Sequence, residues 1–333
     1  MISRRQWAKV LLGTAVSLGL LAYLLASVEL RQVGHHLART HWGYLALSVG
    51  LTVFAVWVRA RRWRYLFPPA ASPTHLFSAV MIGYMANNIL PLRAGELVRA
   101  YIAARRSGQG FWTALATLVV ERVLDALAVV SILAGLVVTV PVPYELKWAA
   151  VLFLSLDLVA MAALAVLMFA PERFRVAIAF VLGRWPHFSA KALAILGTFT
   201  LGLQGIRTRA HLLPILGWSV GLWVVYALTT WTALAAAQLA LSLTAAWAVV
   251  AFVGLGVSLP SAPGFVGVIQ AAVVLALALF DVPRAEALSF SFLYHAIQFI
   301  PITLLGWLLL LGEQVSLFQI TREAIPEAQA RGA

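Results

Sequence analysis

The sequence predicts an all-α polytopic membrane protein. Three observations predict it: an apolar composition, a series of apolar segments long enough to cross a bilayer, and basic residues grouped between those segments. Of the 333 residues, 62% are hydrophobic and only 11% are charged, and the mean hydropathy is +0.93. Soluble domains carry about 25% charged residues because their surfaces face water. We therefore expect a single membrane domain over residues 1–333.

The charge balance is strongly basic, with 24 Lys+Arg against 12 Asp+Glu. Nucleic-acid-binding proteins are often this basic, but here the basic residues lie between apolar segments, as the positive-inside rule describes. We expect no nucleic-acid partner. The chain has no cysteine, which excludes disulfides, zinc–thiolate sites and thiol catalysis. Its short loops leave little room for a nucleotide or a metal, so we expect no cofactor and no metal site.

Six segments have the length of a transmembrane helix, which needs about 20 apolar residues. The first follows Arg4, Arg5 and Lys9 and is longer than the roughly 7–15 apolar residues of a signal peptide, so we predict that it is retained. The six segments are Val10–Val28, Trp42–Val58, Phe111–Val140, Trp148–Ala170, Leu212–Ala237 and Ala287–Leu311.

Two further apolar segments, 74–104 and 247–280, are interrupted by proline and glycine. A broken helix leaves backbone groups that lipid cannot satisfy, so each break implies a protein-lined or water-filled cavity. We predict two re-entrant helical hairpins, which gives six full spans and two hairpins. The alternative is that these residues kink spanning helices, which gives eight spans. The breaks are predicted at Pro91, Gly95, Pro260, Pro263 and Gly264.

The basic residues predict the orientation. If each hairpin enters and leaves by one face, residues 59–64, 172–209 and both termini all lie in the cytoplasm, at a cytoplasmic (inner) membrane. Residues 172–209 alternate short apolar stretches with basic residues, which is typical of an amphipathic segment on the membrane surface.

An internal repeat supports the hairpins. The pattern Leu-Pro-x-x-x-Gly begins at Leu90 and again at Leu259, and the same spacing along the chain relates Trp42 to His211. We interpret residues 42–140 as a first repeat and 211–312 as a second, each built as span, broken hairpin, span. In the predicted topology the repeats are inverted, which is a recurring plan in transporters.

Charged residues occur at hydrocarbon depth, where each costs on the order of 3 kcal/mol on insertion scales. Two groups have helical spacing, and together their three arginines and three carboxylates sum to zero. They could form internal salt bridges. Alternatively, an arginine binds a lipid phosphate, and the carboxylates hold it when the site is empty or meet a cationic part of the headgroup. The six residues are Arg93, Glu96, Arg99, Glu121, Arg122 and Asp125.

Other polar residues complete the candidate site. Asn87 and Asn88 precede the first break, where they could satisfy open backbone groups or contact a ligand. Gln270 and His295 are candidates in the second repeat, although a single intramembrane histidine is more often a hydrogen-bonded packing residue. Asp157 is either a proton-coupling acid or the partner of an unpaired arginine.

Three motifs carry a family resemblance. Residues 87–99 (Asn-Asn-Ile-Leu-Pro-Leu-Arg-Ala-Gly-Glu-Leu-Val-Arg), 121–125 (Glu-Arg-Val-Leu-Asp) and 260–267 (Pro-x-x-Pro-Gly-x-x-Gly) resemble the lysylphosphatidylglycerol synthase transmembrane-region family. That family includes the flippase half of the multiple peptide resistance factor. The resemblance covers roughly residues 8–312.

The resemblance implies lipid translocation between leaflets. It does not imply aminoacyl-lipid synthesis, because we find no soluble transferase domain here. Gln270 stands where many relatives are expected to carry glutamate, which puts in doubt a carboxylate role at that position.

A lipid flippase is therefore the leading hypothesis. Its partner would be a membrane lipid, namely a phospholipid, a polyprenyl phosphate or a glycolipid. One alternative is a membrane-embedded lipid-modifying enzyme with Glu121 or Asp125 as base. Another is a small-solute or proton-coupled carrier that uses His295 or Asp157.

Overall fold

The protein is helical in its computed structural model, which describes residues 39–71, 73–90, 94–141, 144–258 and 262–312. Within these ranges there are twelve α-helices and no strand, so the all-α prediction is confirmed. The predicted first span Val10–Val28 lies outside the described residues. We number the helices in chain order: α1 Trp42–Leu66, α2 Leu76–Ile89, α3 Gly95–Ser107, α4 Phe111–Thr139, α5 Tyr144–Phe169, α6 Pro171–Leu182, α7 Pro186–Gly202, α8 Gln204–Arg207, α9 Arg209–Ala236, α10 Leu243–Ser258, α11 Val268–Ala278 and α12 Arg284–Gly312.

Five of these helices are long and apolar enough to cross a bilayer: α1, α4, α9, α12, and α5 over Val151–Phe169. Helices suit this environment because they satisfy every interior backbone group without water. Helices α2 and α10 are apolar but shorter. The protein is thus a multi-pass membrane protein, as predicted.

Helix α1 extends beyond its predicted end at Val58, as far as Leu66. The prediction placed its arginines in a cytoplasmic flank, but Arg59 and Arg62 are 4% and 0% exposed. Both are paired with carboxylates of α4, so the helix continues for two more turns without presenting these charges to lipid. Arg61 and Arg64 are exposed.

The segment 172–209 forms α6, α7 and α8. Prolines at the first turns of α6 and α7 start these helices, where a missing N–H group has no cost. Helix α7 packs on α4, and the Thr113 hydroxyl donates to the Thr198 carbonyl oxygen at 2.9 Å. That these helices lie on the membrane surface stays a prediction.

Two four-helix units share the order long, short, short, long: α1–α4 and α9–α12. Helix α2 ends at Ile89 and α10 ends at Ser258, which are separated by the same spacing as the two Leu-Pro-x-x-x-Gly patterns. The units interlock: α1 packs on α9, α2 on α12 of the other unit, and α10 on α4. The inverted orientation of the two units stays a prediction.

In the first hairpin, formed by α2 and α3, a glycine on each helix allows the two backbones to approach closely. A Cβ atom on Gly95, the first residue of α3, would overlap the carbonyl oxygen of Gly83 in α2. Only glycine allows the two backbones to come this close. The predicted break residue Pro91 lies outside the described residues.

The second break is a 3₁₀ turn over Pro263–Phe265, in which Gly264 has φ +70°. A Cβ on Gly264 would lie 3.3 Å from the carbonyl oxygen of Asn88, near the end of α2. The two interrupted segments therefore meet. Pro260 is not among the described residues.

Candidate functional site

A buried cluster of charged side chains joins α1, α3 and α4, and Glu121 is its centre. Glu121 is 0% exposed. Arg99 donates to both of its oxygens, from Nη1 to Oε1 at 2.6 Å and from Nη2 to Oε2 at 2.8 Å. Arg59 Nη1 donates to Oε1 at 2.5 Å. Two arginines from different helices thus hold one carboxylate, and one of them is bidentate.

Asp125 lies one turn further along α4 and shares these arginines. Arg59 Nη1 is 2.9 Å from its Oδ2, and Arg62 Nη2 is 2.8 Å from its Oδ1. Arg62 is also 3.9 Å from Glu121 Oε2. Because Glu121 and Asp125 are i,i+4 on one helix face, a single arginine can bridge them.

Aromatic residues and a hydroxyl support the cluster. The guanidinium of Arg99 lies 3.9 Å from the ring centre of Trp63, a cation–π distance. The Trp63 indole N–H donates to the Thr117 hydroxyl at 2.8 Å, which fixes the ring. From the second unit, the Tyr226 hydroxyl accepts from Arg59 Nε at 3.2 Å.

Arg122 and Glu96 form the open edge of the cluster. Arg122 Nη2 lies 2.6 Å from Glu96 Oε1, and the two side chains are 37% and 19% exposed. Arg122 Nη1 is 3.9 Å from Asp125 Oδ2. In addition, Arg122 Nε and Glu96 Oε2 are buried atoms without a hydrogen-bond partner among the described residues. This pair therefore has unused donors and acceptors beside an accessible surface.

The described cluster does not sum to zero. It holds four arginines and three carboxylates, which leaves one positive charge. These residues are Arg59, Arg62, Arg99 and Arg122 with Glu96, Glu121 and Asp125. Arg93, the remaining predicted member, lies outside the described residues.

Sequence reasoning missed Arg59 and Arg62 because they belong to a run of basic residues after an apolar segment. A signal was present nonetheless. Arg59 and Arg62 are spaced i,i+3, so they share a helix face, while Arg61 and Arg64 lie on another. Two carboxylates on α4 also required more partners than that helix supplies.

The two predicted asparagines lie at the meeting point of the hairpins. Asn87 is 8% exposed, and its Oδ1 has no hydrogen-bond partner among the described residues. The Asn88 amide donates to the Thr303 hydroxyl of α12 at 2.8 Å. Asn88 therefore ties the first hairpin to the second unit.

Gln270 and His295 are paired with each other and support the second break. The Gly267 N–H donates to Gln270 Oε1 at 2.7 Å, and Gln270 Nε2 lies 3.0 Å from His295 Nδ1. No described contact joins this pair to the carboxylates of α4. In this structure, the two residues hold the backbone at the start of α11.

Glu121 and Asp125 thus form internal salt bridges with the arginines that surround them, which was one of the two alternatives for the charged residues. The open edge differs, since its pair of side chains, Arg122 and Glu96, is partly exposed.

Comparison with protein families finds that the family model described as "Lysylphosphatidylglycerol synthase TM region" matches residues 10–306. No curated protein and no solved structure matches the chain.

Proposed function

The chain belongs to the lysylphosphatidylglycerol synthase transmembrane-region family, and from this premise we propose that it moves a phosphate-bearing lipid headgroup across the cytoplasmic membrane. The match to the family model covers most of the chain. The closer resemblance to the flippase half of the multiple peptide resistance factor stays a prediction.

One observation carries the proposal: among the residues that the structure describes, the cluster has one more arginine than it has carboxylates. An uncompensated charge in a low-dielectric interior is costly and favours an anion as its partner. A lipid phosphate supplies that anion, and its tail can remain in the bilayer while the headgroup enters the protein.

Arg122 is the arginine best placed to bind it. Its side chain is 37% exposed, whereas those of Arg59, Arg62 and Arg99 are at most 5% exposed. A guanidinium binds phosphate through two parallel hydrogen bonds. Glu96 pairs with Arg122 when no phosphate is present, which holds the guanidinium in place, while the excess positive charge remains with the cluster as a whole.

The lipid-modifying enzyme is disfavoured by the surroundings of its proposed base. A general base needs a lone pair directed at the substrate. Both oxygens of Glu121 accept from arginines, and Asp125 is paired with Arg59 and Arg62. Both oxygens of Glu121 and the Oδ2 of Asp125 therefore accept from guanidinium groups, and Asp125 Oδ1 lies 2.8 Å from Arg62 Nη2 without a hydrogen bond to it.

Arg122→Gln is expected to slow lipid movement about 10- to 100-fold, because it removes a charge-assisted hydrogen bond worth about 1.5–3 kcal/mol. Arg122→Lys keeps the charge without the bidentate geometry and should lie between the two rates. The measurement is the movement of a fluorescent headgroup-labelled anionic phospholipid in liposomes that contain the purified protein.

Arg175→Gln is the matched control for Arg122→Gln. Arg175 also pairs with a glutamate, Glu172, but its side chain is 52% exposed on α6. It should move lipid at the wild-type rate. Wild-type rates in a folded Arg122→Gln protein would contradict the assigned binding role.

The proposed topology puts the loop after α3 in the cytoplasm and the loop before α12 outside. The chain has no cysteine, so Arg105→Cys and Pro283→Cys each introduce a unique and exposed thiol. An impermeant maleimide added to intact cells should label only the cysteine at position 283. Equal labelling of both positions would overturn the inverted repeat.

A further inference from the structure

Asp157 is a buried carboxyl on α5, a helix whose side chains are mostly exposed or partly exposed. It lies in the middle of α5 and is 5% exposed, whereas its neighbours Leu156 and Leu158 are 58% and 51% exposed. Its Oδ2 has no hydrogen-bond partner, and it makes no ion pair within the part of the chain that the structure describes. Unpartnered carboxyls at hydrocarbon depth are costly and typically functional.

The depth of Asp157 matches that of the charged cluster. Helices α4 and α5 pack together and are joined by a short loop at residues 140–143. Asp125 lies nearly as far from the end of α4, at Thr139, as Asp157 lies from the start of α5, at Tyr144. With a rise of about 1.5 Å per residue, each carboxyl is about 20 Å from the connecting loop. Asp157 is therefore level with Asp125, on the helix next to it.

Two helices packed against α5 carry charged residues. Helix α4 carries Glu121, Arg122 and Asp125. Of these, Arg122 pairs with Glu96 of α3. Helix α6 carries Glu172, Arg173 and Arg175, which follow the far end of α5 and lie beyond Phe169. The charges at the level of Asp157 are thus those of the α4 cluster.

We propose that Asp157 carries a proton and couples lipid movement to the proton gradient across the membrane. The inference rests on the proposed movement of lipid. With no partner, the carboxyl binds a proton from one aqueous face and is neutral. A phosphate that draws Arg122 away from Glu96 adds negative charge beside the cluster and favours the protonated carboxyl. When the phosphate leaves, Arg122 returns to Glu96 and Asp157 releases its proton to the other face. Each cycle moves one proton and leaves the carboxyl unchanged.

The test uses liposomes that contain the full-length protein, a fluorescent headgroup-labelled anionic phospholipid and an imposed pH gradient with the electrical potential clamped. We expect the gradient to change the wild-type rate at least fivefold in one direction. Asp157→Asn mimics the protonated carboxyl and should move lipid at a rate that no longer depends on the gradient. Asp157→Glu should keep the dependence.

The matched control is Asp281→Asn, which alters an exposed aspartate in the loop before α12 and should respond to the gradient as the wild type does. Wild-type movement that ignores the gradient would overturn the assignment of Asp157, as would an undiminished gradient response in Asp157→Asn. Both results would leave the proposed lipid movement standing. No lipid movement by the wild type, with or without a gradient, would overturn both proposals.

Discussion

Glu121→Gln is expected to lower the free energy of unfolding by about 3–5 kcal/mol, the cost of removing one partner from a buried ion pair. The carboxylate is fully buried, with Arg99 and Arg59 on its oxygens. Glutamine keeps the shape but removes the charge, so the core would hold three buried arginines against Asp125 alone. The loss should appear as a lower melting temperature of the purified protein in detergent and a lower yield of monodisperse protein.

Glu172→Gln is the control for this change. Glu172 pairs with Arg175 at 2.9 Å, but its side chain is 72% exposed, and exposed pairs contribute about 0–1 kcal/mol. Its melting temperature should stay close to that of the wild type. If Glu121→Gln and Glu172→Gln had the same melting temperature, the buried cluster would not have the stabilising role that its geometry implies.

Gly95→Ala is expected to cost about 2–3 kcal/mol and to disturb the cluster at the same time, since overpacking of this kind costs about 1–3 kcal/mol. The added methyl group would overlap the Gly83 carbonyl oxygen and lie 2.6 Å from Asn87 Oδ1. Separating the hairpin arms also shifts α3, which carries Arg99. We therefore expect a lower melting temperature together with slower lipid movement.

Gly135→Ala offers the comparison for this variant, because a Cβ there meets no other atom within 4 Å. Alanine in a helix interior favours the helix over glycine by up to about 1 kcal/mol, so this variant should be neutral or slightly more stable. If the Gly95→Ala protein had the same melting temperature as Gly135→Ala, the result would contradict the close approach of α2 and α3.

The helices could be predicted from the sequence to a large extent, since hydropathy and helix breakers are local signals. The position of the first break was visible because Pro91 and Gly95 interrupt an apolar segment. The end of α1 could not be predicted in this way, because the burial of Arg59 depends on the carboxylates of α4. Two other helices, α2 and α3, lie between α1 and α4 along the chain. Local hydropathy carries no information about such a partner.

The candidate site could be predicted in its composition but not in its pairing. The i,i+4 spacing of Glu121 and Asp125 placed them on one face, as the structure shows. The i,i+3 spacing of Arg122 and Asp125 would allow these two to pair, yet the close partner of Arg122 is Glu96 on another helix. Which arginine meets which carboxylate depends on how α1, α3 and α4 pack, and that is a tertiary property.

The interlocked packing has a consequence for biogenesis. The arginines and carboxylates of the buried cluster all lie between Arg59 and Asp125, so these side chains can form their ion pairs as soon as α4 has been inserted. Helix α2, in contrast, packs on α12, which is synthesised after all the other described helices. The ion pairs of the first unit can thus form early, whereas α2 gains its packing partner only after α12 has been synthesised.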